Sequence, residues 1–296
     1  MLVSRDALVL HSIADPTDGA YGLALTRDGS LWCSLSNAGA VVRRSARGEL
    51  TRIELGDPAG QPWLLSAATD DSVWLTERAG DRILRIAESG VAWSAALATP
   101  KAEPFGIVGL DDGTAWFTES GADAIGQVDI LGRVVEYAIG LPGGHPTALA
   151  TNGSSIWFAL AGTGSLAHAR GGDSRPSLID VGADAAPGAI AVGADGALWF
   201  SDPGRGMVGR IARGGVVEEF ALPDALSRPE SVAADADGGC WFGLRGSNEL
   251  GHLDRSGTLS LVALPEGSGL PNGILVDPAG TVWTVLDTGR LAQLGG

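Results

Sequence analysis

The stretch "EPFGIVGLDDGTAWFTESG" at residues 103–121 contains the elements that decide the fold. A Pro-x-Gly motif opens a short apolar run, an Asp-Gly pair follows it, and a second apolar run carries Trp116. Asp-Gly pairs between apolar runs favour tight β-hairpins. A closely similar order returns in "RPESVAADADGGCWFGLRG" from Arg228 and in "LPNGILVDPAGTVWTVLDTG" from Leu270. The chain therefore repeats one antiparallel unit.

A tryptophan marks each repeat and recurs at intervals of 41 or 42 residues along the whole chain. The marker residues are Trp32, Trp74, Trp116, Trp157, Trp199, Trp241 and Trp283. Two further apolar runs follow each of the first six, and no segment has helical periodicity. This pattern predicts an all-β fold, a seven-bladed β-propeller with four antiparallel strands per blade. The repeats leave no room for a linker, so we expect residues 1–296 to form a single domain.

The last repeat is one strand short, because after Trp283 the chain has room only for the run "RLAQL". The N-terminal segment "DALVLHSIADP" has the pattern of an outer strand with no blade before it. We therefore expect residues 6–13 to complete the last blade by pairing with the strand near Leu291. Closing the ring in this way removes a free strand edge, which would otherwise favour aggregation.

Composition excludes several classes of function. The formal net charge is −15 and the pI is about 4.5, whereas nucleic-acid binding requires a basic surface. An anionic membrane would repel the same surface, and no apolar run is long enough to span a bilayer. No basic region precedes an apolar run at the N-terminus, and Cys33 and Cys240 lie in different repeats. We expect a cytoplasmic monomer without a disulfide framework.

The residue between Pro and Gly of the motif is expected to face the mouth of the central channel, because the first strand of each blade lines that channel. Around the ring it varies while the scaffold repeats: Tyr21, Trp63, Phe105, Thr147, Gly188, Glu230 and Asn272. One apolar wall and one polar wall suit a small amphipathic ligand. We predict that Tyr21, Trp63, Phe105 and Thr147, with the neighbouring Arg228 and Arg245, bind it; the alternative is a solvated channel.

Glu230 is the candidate general base, since partial desolvation at this channel position would favour a proton-accepting role. Asn272 can donate a hydrogen bond to a developing oxyanion. His145 is the histidine expected at the rim, where it either assists catalysis or is a bystander. The alternative for Glu230 is a simple ion pair with Arg228 or Arg245.

Acidic residues also recur near the end of the second strand, at Glu77, Glu119 and Asp202. Because they occupy one repeat position, we expect them to brace the neighbouring backbone rather than to act in catalysis.

The repeat "EPFGIVGLDDGTAWFTESGADAIGQVDILGRVVEYAIGLP" resembles the streptogramin B lyase (virginiamycin B lyase) family, and the resemblance covers all seven repeats. It implies an enzyme that linearises cyclic depsipeptide antibiotics by elimination, with Mg²⁺ and histidines at the rim. Glu230 and Asn272 stand where the family has histidines, and Leu270 stands where it has an acidic metal ligand. Asp287 retains the acidic character of a second metal ligand, so it is the one candidate for binding Mg²⁺.

The sequence is compatible with three functions. The first is an enzyme of the virginiamycin B lyase type that acts on a cyclic peptide or related natural product with altered chemistry. The second is a propeller that binds a small molecule without catalysis. The third is a lactonase-like hydrolase, for which only Glu230 and Asp287 are suitably placed. Because the histidines are replaced, we expect little or no streptogramin lyase activity.

Overall fold

The fold of the chain is seen in a computed structural model that describes residues 8–153, 155–170, 175–182 and 184–295. These residues form 28 strands and a 3-10 helix at Ala225–Ser227. The strands make seven antiparallel four-stranded sheets. The first strand of each sheet contacts the first strands of both neighbouring sheets, so the sheets are the blades of a closed ring. The predicted seven-bladed propeller is confirmed.

Each blade uses its strands in order from the channel outward. The innermost strands are β2 (Ala20–Leu25), β6 (Pro62–Ala67), β10 (Pro104–Gly109), β14 (Pro146–Thr151), β18 (Ile190–Val192), β22 (Pro229–Ala234) and β26 (Pro271–Val276). The second strands are β3 (Leu31–Leu35), β7 (Val73–Glu77), β11 (Ala115–Glu119), β15 (Ser155–Leu160), β19 (Leu198–Asp202), β23 (Cys240–Leu244) and β27 (Val282–Leu286).

The outer half of each blade follows the same order. The third strands are β4 (Ala40–Arg44), β8 (Arg82–Ala87), β12 (Ala124–Val128), β16 (Ser165–Arg170), β20 (Met207–Ile211), β24 (Glu249–Leu253) and β28 (Arg290–Leu294). The outermost strands are β5 (Leu50–Glu54), β9 (Gly90–Ala96), β13 (Val134–Ala138), β17 (Ser177–Asp180), β21 (Val217–Ala221), β25 (Leu259–Ala263) and, in the seventh blade, β1 (Leu8–Ser12).

The N-terminal strand closes the last blade, as the sequence predicts. Strand β1 pairs antiparallel with β28, and Leu8 lies opposite Leu294 while His11 lies opposite Leu291. The Ile13 amide continues the contact by donating to the Gly289 carbonyl at 2.9 Å. Of the segment 6–13 predicted to form this strand, residues 6 and 7 lie outside the described residues.

The second strands carry the core because blades pack against them on both faces. Every residue of β3, β7, β19, β23 and β27 is buried. In blade three the ring of Phe117 lies over Gly126 of the third strand, where an added Cβ would come within 2.1 Å of the ring. The same contact joins Phe200 to Gly209 in blade five. Glycine is therefore required where the buried ring crosses the neighbouring strand.

The marker tryptophans are held at the rim that carries the Asp-Gly turns. Trp74 lies opposite Arg85 of the third strand, and the guanidinium carbon is 4.3 Å from the ring centroid. Arg85 in turn pairs with Asp70 of the turn at 2.7 Å. In blade six His252 replaces the arginine, stacks on Trp241 at 4.5 Å and contacts Asp235. Acidic residues of these turns therefore hold the side chains that contact the tryptophans.

In the part of the chain that the structure describes, no helix has the length and apolar character needed to cross a bilayer.

Candidate functional site

The Pro-x-Gly motif forms an irregularity in the innermost strand at one rim of the channel. In β10 the pairing with β11 shifts between Pro104 and Ile107, and five other innermost strands have the same kind of shift near their first residue. Such bulges redirect the side chains of the residues they contain. The side chain between Pro and Gly therefore does not follow the alternation of side chains between the two faces of the strand. It lies at the channel mouth.

The glycine of the motif allows neighbouring blades to approach closely. A Cβ at Gly106 would lie 2.6 Å from the Thr147 carbonyl oxygen in the next blade, and one at Gly22 would lie 2.4 Å from the Trp63 carbonyl oxygen. Any side chain at these positions would force the innermost strands apart. Glycine is thus required at these two positions, whereas Leu64, Ala148, Ala189 and Ser231 occupy the equivalent position in four other blades.

A hydroxyl group on each of several second strands joins the motifs of adjacent blades. Thr118 Oγ1 accepts a hydrogen bond from the Gly106 amide at 2.8 Å and donates to the Thr147 carbonyl at 2.5 Å. Ser34 makes the same two bonds between Gly22 and Trp63. These hydroxyl residues were not predicted from the sequence, although a Ser or Thr two positions after the tryptophan is visible in "WFTE" and "WFSD".

A cavity of about 280 Å³ lies at the mouth, and it is lined by residues from the innermost strands of all seven blades. Six of the ten predicted site residues line it: Tyr21, Phe105, Thr147, Glu230, Arg245 and Asn272. Leucine, isoleucine and valine side chains of the same strands line the rest. The predicted combination of an apolar wall and a polar wall is therefore present.

The aromatic wall is continuous across three blades. The Tyr21 ring stacks on Trp63 with 3.8 Å between centroids, and Trp63 lies 5.8 Å from Phe105. Arg78 covers the wall, since its guanidinium carbon is 5.5 Å from the Trp63 ring, and it pairs with Glu103 at 2.7 Å. Trp63 does not line the cavity itself; it supports the two rings that flank it. Such contacts give the wall one rigid arrangement.

The Tyr21 hydroxyl is in an unusual environment. Burial, and then the negative charge of Glu230, raise the pKa of Tyr21 to about 12, although the charges of Arg245 and Arg78 act in the opposite direction. The phenol is therefore protonated at neutral pH. Glu230 and Arg245 line the same cavity as Tyr21.

Glu230 is only partly buried, with 29% of its side chain exposed, and it has a partner. Arg228 donates from Nη2 to Glu230 Oε1 at 2.8 Å. Arg228 itself is exposed, has a left-handed backbone (φ 52°) and does not line the cavity. The structure thus contains the ion pair between Glu230 and Arg228, while the second carboxylate oxygen of Glu230 makes no hydrogen bond to the described residues.

Arg245, Asn272 and Asp287 form a cluster between blades six and seven. The Arg245 Nη1 group donates to Asn272 Oδ1 in a very close contact, and Arg245 Nη2 lies 3.7 Å from Asp287 Oδ2. Asn272 is buried and donates from Nδ2 to the Ala20 carbonyl of blade one at 2.7 Å. Asp287 Oδ1 accepts from the Leu270 amide at 2.9 Å. The Nδ2 group of Asn272 therefore donates a hydrogen bond to the backbone rather than to a ligand at the mouth.

His145 is at the rim, as expected, but outside the cavity. Its side chain is exposed, its backbone is left-handed (φ 46°), and its Nδ1 lies 3.2 Å from the Ser120 carbonyl oxygen. The backbone amide of His145 donates to Asp123 at 2.8 Å. These contacts hold the imidazole against the loop of blade three, away from Glu230 and Arg245, the charged side chains that line the cavity.

The three rim acids are fully buried, and they differ in their contacts. Asp202 accepts from the Ala186 amide at 3.1 Å and pairs with Arg205 at 2.7 Å, so it braces the backbone as expected. Glu77 pairs with Arg82. Among the described residues, neither carboxylate oxygen of Glu119 has a hydrogen-bond partner, which contradicts the bracing role predicted for it. Burial, with the charges of Glu136 and Asp81 as smaller causes, raises the pKa of Glu119 to about 7.

The residues at the family's metal position do not fit Mg²⁺. Magnesium requires an octahedron of oxygen ligands. Leu270 supplies no side-chain oxygen, and the Asn272 oxygen accepts from Arg245. Asp287 Oδ1 accepts from the Leu270 amide, and Oδ2 lies 3.7 Å from the Arg245 guanidinium, whose positive charge would repel a cation. Among residues 8–153, 155–170, 175–182 and 184–295, no three His, Cys, Asp or Glu side chains are grouped to share an ion.

Two larger clefts, of about 690 and 660 Å³, lie apart from the mouth. They are lined by turns and by residues from inner and outer strands of blades three to five, and the Pro-x-Gly residues of the mouth are not among their walls. Trp116 and Trp157, the two marker tryptophans that are not fully buried, face these clefts.

Comparisons with known proteins agree with this geometry. A crystal structure of virginiamycin B lyase from Staphylococcus aureus is 25% identical, with a TM-score of 0.91, and the similarity covers 98% of this chain and 99% of that chain. A catalytically inactive histidine-to-alanine variant of the same lyase, crystallised with quinupristin, gives the same values. A streptogramin B lyase structure is 25% identical over 97% of both chains, with a TM-score of 0.90.

No curated protein matches the chain in sequence. The sequence does match the Virginiamycin B lyase family over residues 7–294, which is nearly the whole chain. The chain therefore belongs to the virginiamycin B lyase family.

Proposed function

We propose that this protein is an enzyme that opens a cyclic peptide or a related natural product at the channel mouth, with chemistry altered from that of a virginiamycin B lyase. Its main support is the cavity at the mouth, which Glu230 and Arg245 line together with Tyr21 of the aromatic wall. The relative crystallised with quinupristin supports a cyclic peptide or related natural product as the ligand. A cavity that combines apolar rings with a few convergent polar groups is typical of a small-molecule site.

The chemistry we propose is an elimination with Glu230 as the base. Its free carboxylate oxygen accepts the proton from the carbon α to a carbonyl group, and the C–H electron pair forms a carbon–carbon double bond. The ester C–O bond at the next carbon breaks, and its electron pair leaves on the carboxylate. The Arg245 guanidinium stabilises the negative charge that develops on the acyl oxygens. No step requires a metal.

Binding without catalysis is the second candidate, and one observation favours it. Arg228 donates to Glu230 at 2.8 Å, so one oxygen of the candidate base already accepts a hydrogen bond. A lactonase-like hydrolase has weaker support, because the clustered acidic ligands that such an enzyme would use are absent from the described residues.

Mass spectrometry separates the three functions. The purified protein is incubated with quinupristin and with a panel of cyclic depsipeptides, and the products are separated by chromatography. Elimination opens the ring without a change in mass, hydrolysis adds the mass of one water, and binding alone leaves the substrate unchanged. We expect an isobaric, ring-opened product from a member of the panel and little or no conversion of quinupristin. Addition of water would show a hydrolase, and no conversion of any cyclic depsipeptide would contradict the enzyme proposal.

A further inference from the structure

Arg245 differs from Arg78 and Arg228 because, among the described residues, no hydrogen bond reaches the Nε–Nη2 edge of its guanidinium, and Asp287 forms only a long ion pair there. Arg78 pairs with Glu103 at 2.7 Å, and Arg228 pairs with Glu230 at 2.8 Å. Asp287 Oδ2 is 3.7 Å from Arg245 Nη2, which is beyond hydrogen-bond distance. Among the described residues, only the Nη1 group of the Arg245 side chain donates a hydrogen bond. The N–H groups on Nε and Nη2 are therefore available to a ligand.

The two available groups lie on the same edge of the guanidinium plane. Nε and Nη2 present parallel N–H bonds, and this fork matches the two oxygens of a carboxylate. A guanidinium is charged at every physiological pH, so the recognition does not depend on a titrating group. Arg245 lines the mouth cavity and 27% of its side chain is exposed, so a ligand can reach this edge.

Asn272 holds the guanidinium in this orientation. Its Nδ2 donates to the Ala20 carbonyl, and this bond turns Oδ1 toward Arg245. Because the amide is buried and tied to the backbone of blade one, it cannot follow the arginine if the latter moves. Asn272 therefore acts as a positioning residue that joins Arg245 of blade six to the first blade.

We propose that Arg245 binds the carboxylate of the ligand through Nε and Nη2, in the place of the divalent cation that the family uses, with Asn272 as the positioning residue. The aromatic wall of Tyr21 and Phe105 takes an apolar ring of the same ligand. The ligand class is thus an aromatic or apolar carboxylate, and its binding is independent of metal. This assignment rests on the proposed function, because the elimination proposed above releases such a carboxylate.

Probe binding tests the assignment without any substrate. N-acetyl-L-phenylalanine and its primary amide share the ring and the acyl group, and they differ in the carboxylate. Each is titrated by calorimetry or ligand-observed NMR in buffer with EDTA. We expect the acid to bind at least about tenfold more tightly than the amide, as for other charge-assisted hydrogen bonds. Mg²⁺ in place of EDTA leaves both affinities unchanged.

Variants locate the interaction. Arg245→Gln is expected to remove the preference for the acid and to leave the affinity for the amide unchanged. Arg245→Lys retains the charge but not the fork, so it keeps only part of the preference. Asn272→Ala is expected to reduce the preference although Arg245 is intact. Asn272→Asp keeps an acceptor for Nη1 but loses the bond to the Ala20 carbonyl, so it is expected to reduce the preference as well. Arg133→Gln is the matched control, because it removes an exposed guanidinium that pairs with Asp129 and does not line the cavity.

Three results would overturn the assignment. These are equal affinity for acid and amide, a preference that survives Arg245→Gln in a folded variant, and a requirement of the acid for Mg²⁺. Failure of both probes to bind would also contradict the ligand class. The proposed enzymatic function is tested separately. It is contradicted if no cyclic depsipeptide is opened even though the acid binds through Arg245.

Discussion

His11 Nε2 lies 3.0 Å from Gln293 Oε1, and this contact joins the first described strand to the last one. The imidazole also lies 5.9 Å from the ring of Trp283, the marker tryptophan of blade seven. In blade two the third-strand residue opposite the tryptophan, Arg85, contacts the Trp74 ring, and in blade three Tyr137 of the outermost strand lies 5.5 Å from the Trp116 ring. The N-terminal strand therefore supplies the seventh blade with both an outer strand and the ring partner of its tryptophan.

Removal of residues 1–14 is expected to lower the melting temperature sharply. The deletion removes all backbone pairing between β1 and β28 and leaves β28 as an open edge. Differential scanning calorimetry measures the effect, and size-exclusion chromatography detects the association that a free edge favours. Val9→Thr is the control, since Val9 is half exposed and the change leaves the backbone pairing intact. Melting at the same temperature after the deletion would show that closure does not depend on this strand.

The fold was predictable because the same contacts recur in every blade. The spacing of Trp74 and Trp116 reports the packing of one blade on the next, and the missing outer strand after Trp283 implies that the N-terminus completes the ring. Because the pattern occurs seven times, a departure from it in one repeat does not hide the fold. This is why the position of the mouth and its aromatic wall could also be inferred.

The details of the site could not be predicted, because they depend on side chains that break the repeat. The contact between Asn272 and Ala20 spans 252 positions of sequence, and the orientation of Arg245 depends on it. Glu119 occupies the same repeat position as Glu77, yet it lacks the arginine that pairs with Glu77. Periodicity shows that such positions are equivalent, but it does not show which partner each one has lost.

Thr118→Val is expected to destabilise the protein by roughly 1–3 kcal/mol, the usual cost of leaving buried polar groups unpaired. The substitution keeps the shape of the side chain and removes the hydroxyl that joins the Gly106 amide to the Thr147 carbonyl. Urea denaturation followed by circular dichroism measures the change in the free energy of unfolding. Thr118→Ser is the matched control, since it retains the hydroxyl. A Val variant as stable as the Ser variant would show that these bonds contribute nothing net.

Glu119 is expected to make the stability depend on pH between about 4.5 and 7. Its pKa is about 7 in the folded protein, against an ordinary value near 4.5. The folded state therefore binds the proton more tightly, so the stability contributed by this group is complete below pH 4.5 and is lost as the pH rises through 7. Glu119→Gln removes this dependence, and at pH 8 the variant should be more stable by roughly 2–3 kcal/mol.

Thermal melting of both proteins from pH 4.5 to 8 tests this prediction. Glu266→Gln is the control, because Glu266 is an exposed carboxylate and its replacement should leave the pH profile unchanged. Parallel profiles for the native protein and Glu119→Gln would mean that the buried carboxyl group gains a partner in solution.

Glu230→Gln is expected to abolish turnover of any cyclic depsipeptide that the protein opens, with little change in its binding. The amide is isosteric with the carboxylate and still accepts a hydrogen bond from Arg228, so the mouth keeps its shape, but it cannot take the proton α to the carbonyl. Single-turnover kinetics measure the chemical step, and calorimetry measures binding to the same variant. Glu266→Gln again serves as a control that removes a carboxylate outside the cavity. Full turnover by Glu230→Gln would exclude Glu230 as the base and leave the ion pair with Arg228 as its role. Loss of binding together with turnover would instead show that Glu230 holds the ligand, because a base that acts only in the chemical step contributes little to the affinity of the ground state.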